Sequence, residues 1–221
     1  MAWRCSSRTN AGLIANLKSH GIIQSERVEA VDRANYVQDV STAYEDCPQP
    51  IGYGATISAP HMHAYAAESL LPFLRPGARV LDVGSGSGYL TAVLHHLASA
   101  DARPSKPSVI VGIEHIPELV EISKENIKKD GLAGSDILFV CGDGRKGYPS
   151  HGPYDAIHVG AAAPTLVESL VDQLAAPGRM FIPVGTWHQS IIEVDKDETG
   201  HVTHTEKMGV NYVLLTDPPK S

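Results

Sequence analysis

A glycine-rich segment near the middle of the chain has the residue types needed to bind a charged ligand. Residues 80–90 read VLDVGSGSGYL, so an apolar run contains Asp82 and leads into glycines that alternate with serines. Glycines at the end of a buried strand let a ligand approach the backbone without a Cβ in the way. The GxGxG spacing differs from the GxGxxG of dinucleotide binders, and Asp82 would repel a pyrophosphate. This acid suits a ligand with a sulfonium and an ammonium group, and the segment therefore predicts a site for S-adenosylmethionine.

Two more acids lie at the ends of the next two predicted strands. Glu114 ends the second strand, where its carboxylate can accept hydrogen bonds from both ribose hydroxyls. Asp143 follows the third strand, where it can accept from the exocyclic amine of adenine while Gly144 and Arg145 frame the ring. Each acid taken alone could also be an ordinary strand-end or turn residue. Together with Asp82, these acids offer groups for the methionine, ribose and adenine parts of one ligand.

The elements that must position these residues alternate between strand and helix. Short apolar runs at residues 79–83, 108–114, 137–140, 156–159 and 179–184 are separated by helical patterns at 88–98, 117–129 and about 165–174. Strands separated by helices predict βαβ units with right-handed crossovers and a buried parallel sheet. After Gly185, period-two stretches at residues 190–194 and 210–215 predict antiparallel strands. The predicted fold class is α/β: a Rossmann-like S-adenosylmethionine-dependent methyltransferase sheet, mostly parallel, with an antiparallel edge at the C-terminus and an N-terminal helical region.

The N-terminal third has a helical pattern that is interrupted by a loop. A first amphipathic helix stops near Gly21, and a second runs from about Ser25, its N-cap, toward Tyr36. Prolines and glycines make residues 46–60 loop or extended, and residues 61–74 return to helical spacing. The chain then divides into three parts of one compact domain: a helical region with an active-site loop (1–75), a cofactor-binding core (76–185) and a β-rich tail (186–221).

The composition argues against several kinds of protein. A formal net charge of −7 and a pI near 5.8 disfavour a nucleic-acid groove. Three well-separated cysteines without a CxxC pair predict a reduced, cytoplasmic setting. The first residues lack the apolar stretch of a signal peptide, and the absence of a run of about 18 apolar residues predicts no membrane span. His61 and His63 lack a third ligand at metal spacing, so we expect no metal, and we expect a monomer.

Two segments outside the glycine loop resemble a known family. Residues 55–64, ATISAPHMHA, and residues 154–164, YDAIHVGAAAP, are similar to signatures of the protein-L-isoaspartate (D-aspartate) O-methyltransferases. Three shorter blocks agree with that family in order and approximate spacing: residues 82–89, 142–147 and 183–185. The chain departs from the family in a stretch about one helical turn shorter before the Asp32–Arg33 pair. It also departs in Leu214, where proline is frequent, and in residues 186–188, which replace a glycine-rich turn.

This resemblance implies methyl transfer from S-adenosylmethionine to the free α-carboxyl of L-isoaspartyl, and also D-aspartyl, residues in damaged proteins and peptides, with S-adenosylhomocysteine as product. The ester would cyclise to a succinimide, which can reopen to normal aspartate. By the same resemblance, Ser58 places its hydroxyl at the reaction centre, and residues 210–216 shape a peptide groove. The cofactor-binding residues predicted from the loop and the resemblance together are Ala55, Thr56, Ile57, Ser58, His63, Asp82, Val83, Gly84, Ser85, Gly86, Gly88, Glu114, His115, Asp143, Gly144, Arg145 and Thr216.

The chemistry implied by this resemblance agrees with the residues present. An α-carboxyl has a pKa of about 3.3–3.7, so the nucleophile is already ionised at neutral pH and needs no general base. A small-molecule methyltransferase, a non-catalytic cofactor-binding module and, more distantly, an NAD oxidoreductase are the alternative functions. Ser58 could cap the helix that follows it, alone or in addition to its role at the reaction centre, and His158 could be either a hydrogen-bonded core histidine or a residue near the substrate.

Overall fold

The computed structural model of the chain describes residues 4–24, 31–99, 107–134 and 136–216. Its strands are β1 (Gln49–Gly52), β2 (Ala55–Ile57), β3 (Arg79–Val83), β4 (Val109–Glu114), β5 (Ile137–Cys141), β6 (Tyr154–Val159), β7 (Leu174–Val184), β8 (Gln189–Lys196) and β9 (Val202–Val210). Its α-helices are α1 (Asn10–Ser19), α2 (Pro60–Leu70), α3 (Tyr89–Ala98), α4 (Pro117–Lys129) and α5 (Glu168–Asp172). No helix within these described ranges is long and apolar enough to cross a lipid bilayer.

Seven of the described strands form one sheet, in the order β5-β4-β3-β6-β7-β8-β9. Neighbours from β5 to β7 are parallel, and β8 and β9 continue the sheet in antiparallel pairs. The α/β fold class and its antiparallel C-terminal edge are thereby confirmed. The chain moves outward from β3 through β4 to β5 and then returns to the other side of β3 with β6. This reversal makes the carboxyl ends of β3 and β6 a topological switch point, where ligands bind in open α/β sheets.

Successive residues of β3 pack on opposite faces of the sheet. Val80 belongs to the apolar cluster built with residues of α1 to α4. Leu81 belongs to the cluster that includes residues of α5. Both side chains are fully buried, as expected for a parallel strand that is covered on both faces. Asp82, the next residue of this strand, is only 1% exposed, so its carboxylate lies inside the protein.

The predicted helix from Ser25 to Tyr36 is wrong in its described part. Residues 25–30, which include the predicted N-cap, lie outside the described residues. Beyond them the chain forms only a short 3-10 helix, Arg33–Asn35. The Asp32 carboxylate accepts the Ala34 N–H at 3.0 Å and so starts the turn at this point.

The helix predicted over residues 165–174 is shorter than expected. Ala162 donates its N–H to the Val213 carbonyl, and Ala163 donates to the Pro183 carbonyl, both at 2.8–3.0 Å. Because these bonds keep the chain after β6 extended, α5 begins only at Glu168 and ends at Asp172.

The last predicted strand, at residues 210–215, lies instead at residues 202–210. A tight turn in which Asp197 N–H donates to the His201 carbonyl brings the chain straight back, so pairing with β8 resumes at once with Val202 opposite Lys196. Residues 211–215 leave the sheet edge and cross to Ala162, at the end of β6.

Asp46 anchors the start of α2 to the segment before β1. Its Oδ1 accepts the His61 N–H at 3.0 Å and lies 2.7 Å from the His61 Nδ1. Burial opposes ionisation of this carboxyl, but the bonds from His61 outweigh burial and lower the pKa of Asp46. The carboxylate thus supplies a cap from outside the helix and fixes the place where α2 begins, two residues after Ser58.

Replacing Asp46 by alanine should lower the free energy of unfolding at neutral pH by about 2–3 kcal/mol, roughly a helix cap plus a charge-assisted hydrogen bond. The folded pKa lies below the unfolded one, so this stabilisation is present above the unfolded pKa and is lost as the pH falls through the folded pKa. Urea unfolding at neutral and acidic pH measures both effects. Asp39→Ala is the control, because Asp39 caps an exposed turn. Equal losses in the two variants would contradict the anchoring role.

Candidate active site

A pocket opens where β3 and β6 end, at the reversal in strand order. Gly84 follows β3 and Gly160 follows β6, and the Gly160 N–H donates to the Val83 carbonyl at 2.8 Å, which joins the two strand ends. The pocket encloses about 360 Å³, including its open mouth. Its wall consists of Ile51, Thr56, Ile57, Ser58, His63, Asp82, Gly84, Ser85, Gly86, Ser87, Tyr89, Leu90, His158 and Gly160.

The glycine loop, residues 84–88, contains two hydroxyls without a hydrogen-bond partner in the described part of the chain. Gly84 and Gly88 have positive φ angles of 75° and 87°, which glycine adopts without strain. The N–H groups of Gly84 and Ser85 donate to the Ile113 carbonyl and hold the loop against β4. The hydroxyls of Ser85 and Ser87 are buried and have no hydrogen-bond partner among the described residues. Buried hydroxyls are normally paired, so these two fit a polar ligand such as S-adenosylmethionine.

Asp82 is held at the pocket by two side chains. Its partner in the β3–β6 register is His158, whose Nδ1 lies 2.8 Å from the Asp82 Oδ1, and the Thr91 hydroxyl donates to Oδ2. His158 also stacks on Phe181, with ring centroids 6.0 Å apart, so it is both a hydrogen-bonded core histidine and a pocket residue. An ionised carboxylate has about four lone-pair sites, so Asp82 retains capacity to accept from the ammonium group of a ligand.

Glu114 ties the glycine loop to the end of β4. Its Oε2 accepts the Gly86 N–H at 3.1 Å, and its Oε1 accepts the N–H groups of His115 and Ile116 at 2.8 and 3.1 Å. The residue is 7% exposed and is therefore not a solvated strand-end acid. These three donors fix the carboxylate, and about one of its four lone-pair sites remains to accept a hydrogen bond from a ligand. A contact between Glu114 and a ribose stays a prediction.

Asp143 and Arg145 form an ion pair with two side-chain hydrogen bonds beyond the end of β5. The Asp143 carboxylate accepts from the Arg145 Nε and Nη2, each at 2.9 Å, and from the Arg145 N–H at 3.1 Å. These bonds lower the pKa of Asp143, so it is ionised at neutral pH. An adenine amine would share a carboxylate that Arg145 already engages, and the adenine contacts of this turn stay predictions.

Ser58 lies between β2 and α2 and lines the pocket. The alternative in which Ser58 caps α2 is wrong, because Ala59 occupies the N-cap position and no side chain there makes a capping bond. Tyr212, from the C-terminal tail, lies beside Ser58: burial raises the pKa of Tyr212 to about 12, and a contact with the Ser58 side chain opposes that rise. The Gln189 amide holds the Tyr212 backbone by two hydrogen bonds of 3.0 and 2.6 Å. The tail therefore reaches the reaction centre predicted from the resemblance.

His63, on the first turn of α2, completes this side of the wall. Its ring packs against Tyr89, with ring centroids 5.1 Å apart. Desolvation and, secondly, the charge of Arg33 lower the pKa of His63 well below its ordinary value, so the imidazole is neutral at physiological pH. No group of three or more His, Cys, Asp or Glu side chains in the part of the chain that the structure describes could hold a metal ion.

The pocket brings together part of the predicted cofactor-binding set. The predicted residues in its wall are Thr56, Ile57, Ser58, His63, Asp82, Gly84, Ser85 and Gly86. The predicted residues outside its wall are Ala55, Val83, Gly88, Glu114, His115, Asp143, Gly144, Arg145 and Thr216. Those from Glu114 to Arg145 lie at the carboxyl ends of β4 and β5, beside the loop, and Thr216 is exposed at the end of the described chain.

Several pocket residues were missed in the sequence. Ser87, Tyr89 and Leu90 belong to the glycine-rich segment, so extending the predicted site into the first turn of α3 would have found them. Gly160 follows β6 within one of the segments that carry the resemblance, but its contact with β3 depends on the strand order. Nothing in the local sequence marks Ile51.

Comparison with known proteins points to one family. The family model described as protein-L-isoaspartate(D-aspartate) O-methyltransferase matches residues 8–220. Protein-L-isoaspartate O-methyltransferase 1 of Arabidopsis thaliana is 47% identical to this chain, over 97% of this chain and 94% of the relative. The protein-L-isoaspartate O-methyltransferase of Caenorhabditis elegans is 44% identical, over 98% of this chain and 96% of the relative.

A solved structure shares the same architecture. It is a protein-L-isoaspartate O-methyltransferase from Plasmodium falciparum in complex with S-adenosyl-L-homocysteine. It is 35% identical in sequence, with a TM-score of 0.85, and the match covers 95% of this chain and 99% of that one.

Proposed function

Because this chain belongs to the protein-L-isoaspartate(D-aspartate) O-methyltransferase family, we propose that the pocket at the ends of β3 and β6 is where it carries out that family's reaction. The enzyme transfers a methyl group from S-adenosylmethionine to the free α-carboxyl of L-isoaspartyl residues in damaged proteins and peptides. The methyl ester then closes to a succinimide, which can reopen to normal aspartate. The observation that carries the assignment of the pocket is the meeting of Ser58 with the glycine loop in one wall.

The groups of the pocket fit this cofactor. S-adenosylmethionine supplies a methyl group on a positively charged sulfur. Asp82 would accept from the ammonium group. The hydroxyls of Ser85 and Ser87, which have no partner among the residues that the structure describes, would pair with polar atoms of the ligand. Glu114 and Asp143, at the ends of the two neighbouring strands, would accept from the ribose and the adenine.

The remaining task of the chain is to orient the substrate and exclude water. The substrate carboxylate is ionised at neutral pH, so no residue has to remove a proton. The Ser58 hydroxyl would donate to one carboxylate oxygen and leave the other free to attack the methyl carbon. Alignment of reactants in this way can lower a barrier by roughly 7–11 kcal/mol. Tyr212, which contacts Ser58, would restrict the orientation of that hydroxyl.

Ser58→Ala should lower kcat for an isoaspartyl peptide by about 10- to 100-fold, the scale of one hydrogen bond to a charged group. The affinity for S-adenosylhomocysteine should change less, because the Asp82, Glu114 and Asp143 carboxylates and the Ser85 and Ser87 hydroxyls are intact. Initial rates with labelled S-adenosylmethionine and calorimetry with S-adenosylhomocysteine measure the two quantities.

Ser150→Ala is a matched control, since Ser150 is an exposed serine in a surface turn. It should retain the kcat of the unchanged enzyme. A covalent methyl-serine at position 58, or unchanged turnover of Ser58→Ala, would refute the orienting role. Failure of the unchanged enzyme to methylate the peptide would refute the assignment of the pocket.

We also propose that the enzyme acts as a monomer in the cytoplasm. The thiols of Cys5, Cys47 and Cys141 are free, and the first two are buried, which suits a reducing compartment. Sedimentation equilibrium tests the monomer, and a stable dimer at micromolar concentration would refute it. Immunolabelling of intact cells tests the compartment, and a signal confined to an organelle would refute it.

A further inference from the structure

Arg33 is a buried cation behind the pocket wall. The residue is 0% exposed, and its Nε is buried without a hydrogen-bond partner among the described residues. Among the described residues, no carboxylate forms an ion pair with the Arg33 guanidinium, and the Asp46 charge acts on it at longer range. Burial lowers the pKa of Arg33 to about 10, so the guanidinium is still charged at neutral pH.

Stability alone does not account for such a residue. Removing a charge from water is costly, and replacing a buried charged group by an apolar side chain of similar volume is often neutral or stabilising. A short apolar residue would also leave no unpaired Nε in the interior. The contacts of Arg33 must therefore supply the reason for its charge.

Arg33 joins three separate segments of the pocket wall. Its Nη2 donates to the Ser58 carbonyl at 2.9 Å, its Nη1 lies 3.4 Å from the His63 Nδ1, and its guanidinium carbon lies 5.3 Å from the centre of the Tyr89 ring. These three partners come from the β2–α2 loop, from α2 and from the start of α3, and all of them line the pocket. The planar guanidinium has five donors, so it can donate to two acceptors while it stacks on an aromatic ring. The compact ammonium group of lysine has no plane with which to stack.

The contact with His63 determines which ring nitrogen carries the proton. Arginine has donors only, so the Nδ1 that faces Nη1 must be the acceptor. The proton of the neutral imidazole then lies on Nε2, and His63 presents an N–H donor in the pocket wall. A donor of this kind suits a substrate that arrives as a carboxylate.

We propose that Arg33 is a positioning residue for methyl transfer, which fixes the Ser58 peptide group and holds His63 as an Nε2–H donor toward the substrate carboxylate. The proposal rests on the proposed function of the pocket. Arg33 does not itself touch the substrate, because its side chain is fully enclosed by protein.

Arg33→Met should lower kcat for an isoaspartyl peptide by about 10- to 100-fold, since a shift of about 1 Å in a reacting group has that effect. The Kd for S-adenosylhomocysteine should stay within about threefold of that of the unchanged enzyme, because the Ser85 and Ser87 hydroxyls and the Asp82, Glu114 and Asp143 carboxylates proposed to hold the cofactor are not contacted by Arg33. Arg33→Lys should recover only part of the lost kcat, because lysine keeps the charge but loses the planar guanidinium.

Arg179→Met is a control for the loss of a packed arginine elsewhere in the fold, and Arg179 differs from Arg33 in that its Nε also donates to the Asp195 carboxylate at 2.7 Å. Arg179 also donates to a backbone carbonyl, that of Ser69 at 3.0 Å, and also lies over a ring, 5.5 Å from the centre of Phe73. It lies outside the pocket wall, so its variant should keep kcat within about twofold. This comparison separates the loss of a packed arginine from the loss of Arg33.

Nitrogen NMR of the His63 ring reports its tautomer. If Arg33 only stabilised the fold, its replacement would not change this tautomer. The unchanged enzyme should show the Nε2–H tautomer, and Arg33→Met should show a mixture or a reversal. Unchanged kcat in Arg33→Met, full recovery in Arg33→Lys, or a proton on Nδ1 in the unchanged enzyme would each overturn the proposal. If Arg33→Met does not fold, the kcat of Arg33→Lys and the His63 tautomer in the unchanged enzyme test the proposal. An unchanged enzyme that does not methylate the peptide would instead overturn the proposed function.

Discussion

An isoaspartyl peptide should be methylated at least about 100 times faster than an aspartyl peptide of the same sequence. Isoaspartate carries its free carboxylate directly on the α-carbon, and the peptide continues through the side chain. Normal aspartate carries its carboxylate one methylene further out, on an uninterrupted backbone. Arg33 holds the Ser58 carbonyl by a hydrogen bond of 2.9 Å, and Tyr212 lies beside the Ser58 side chain. A Ser58 held in this way should not align a carboxylate that lies one methylene further out, and misplacement by about 1 Å can reduce the rate around 100-fold.

The same enzyme should accept varied residues next to the isoaspartate. Among the described strands, β2 pairs only with β1, so no strand occupies its other edge, and we expect an extended peptide to pair there. In the tail beside Ser58, Val213 and Leu214 are 52% and 42% exposed and offer apolar contacts that are not specific to one side chain. Backbone pairing of this kind gives affinity without strong sequence preference.

The test is a pair of peptides that differ only in the linkage, each incubated with the enzyme and labelled S-adenosylmethionine. Equal methylation of the two peptides would refute the repair function. Methylation of neither, with rapid methylation of a small metabolite, would favour a small-molecule methyltransferase. Tight cofactor binding without any turnover would favour a non-catalytic module.

Glu114→Ala should weaken S-adenosylmethionine binding by about 1.5–3 kcal/mol, or about 10- to 150-fold in Kd. The variant loses the proposed ribose acceptor and also releases the N–H groups of Gly86, His115 and Ile116. The glycine loop would then lose the Gly86 bond to the end of β4 and would be held there by the bonds of Gly84 and Ser85 to the Ile113 carbonyl. The sheet should survive, because the side chain lies at a strand end and the backbone pairing of β4 is unaffected.

Calorimetry with S-adenosylmethionine measures the loss, and circular dichroism confirms that the variant is folded. Glu118→Ala is the control, because it removes the same charge four residues away from an exposed position on α4. Unchanged affinity in a folded Glu114→Ala, or the same loss in both variants, would refute the role of Glu114.

Much of the core could be predicted from local patterns. The apolar runs around Asp82 and Glu114 and the helical spacing of α4 predicted elements that the structure confirms within a few residues. Local patterns failed where distant bonds determine the conformation. Residues 165–167 are not helical, because their neighbours pair with the end of β7 and with the tail, and no helical periodicity in the segment itself reveals this.

The sequence by itself determined the fold class, the glycine loop and the cofactor type, because strand and helix periodicity and glycine spacing are properties of neighbouring residues. Only the tertiary structure decided which distant residues complete the pocket. The contact of Asp82 with His158 spans 76 positions and follows from the placement of β6 beside β3. The bond from Arg33 to Ser58 spans 25 positions and depends on where a short turn packs against α2. Such contacts arise from strand order and packing, which the spacing of residues along a chain does not encode.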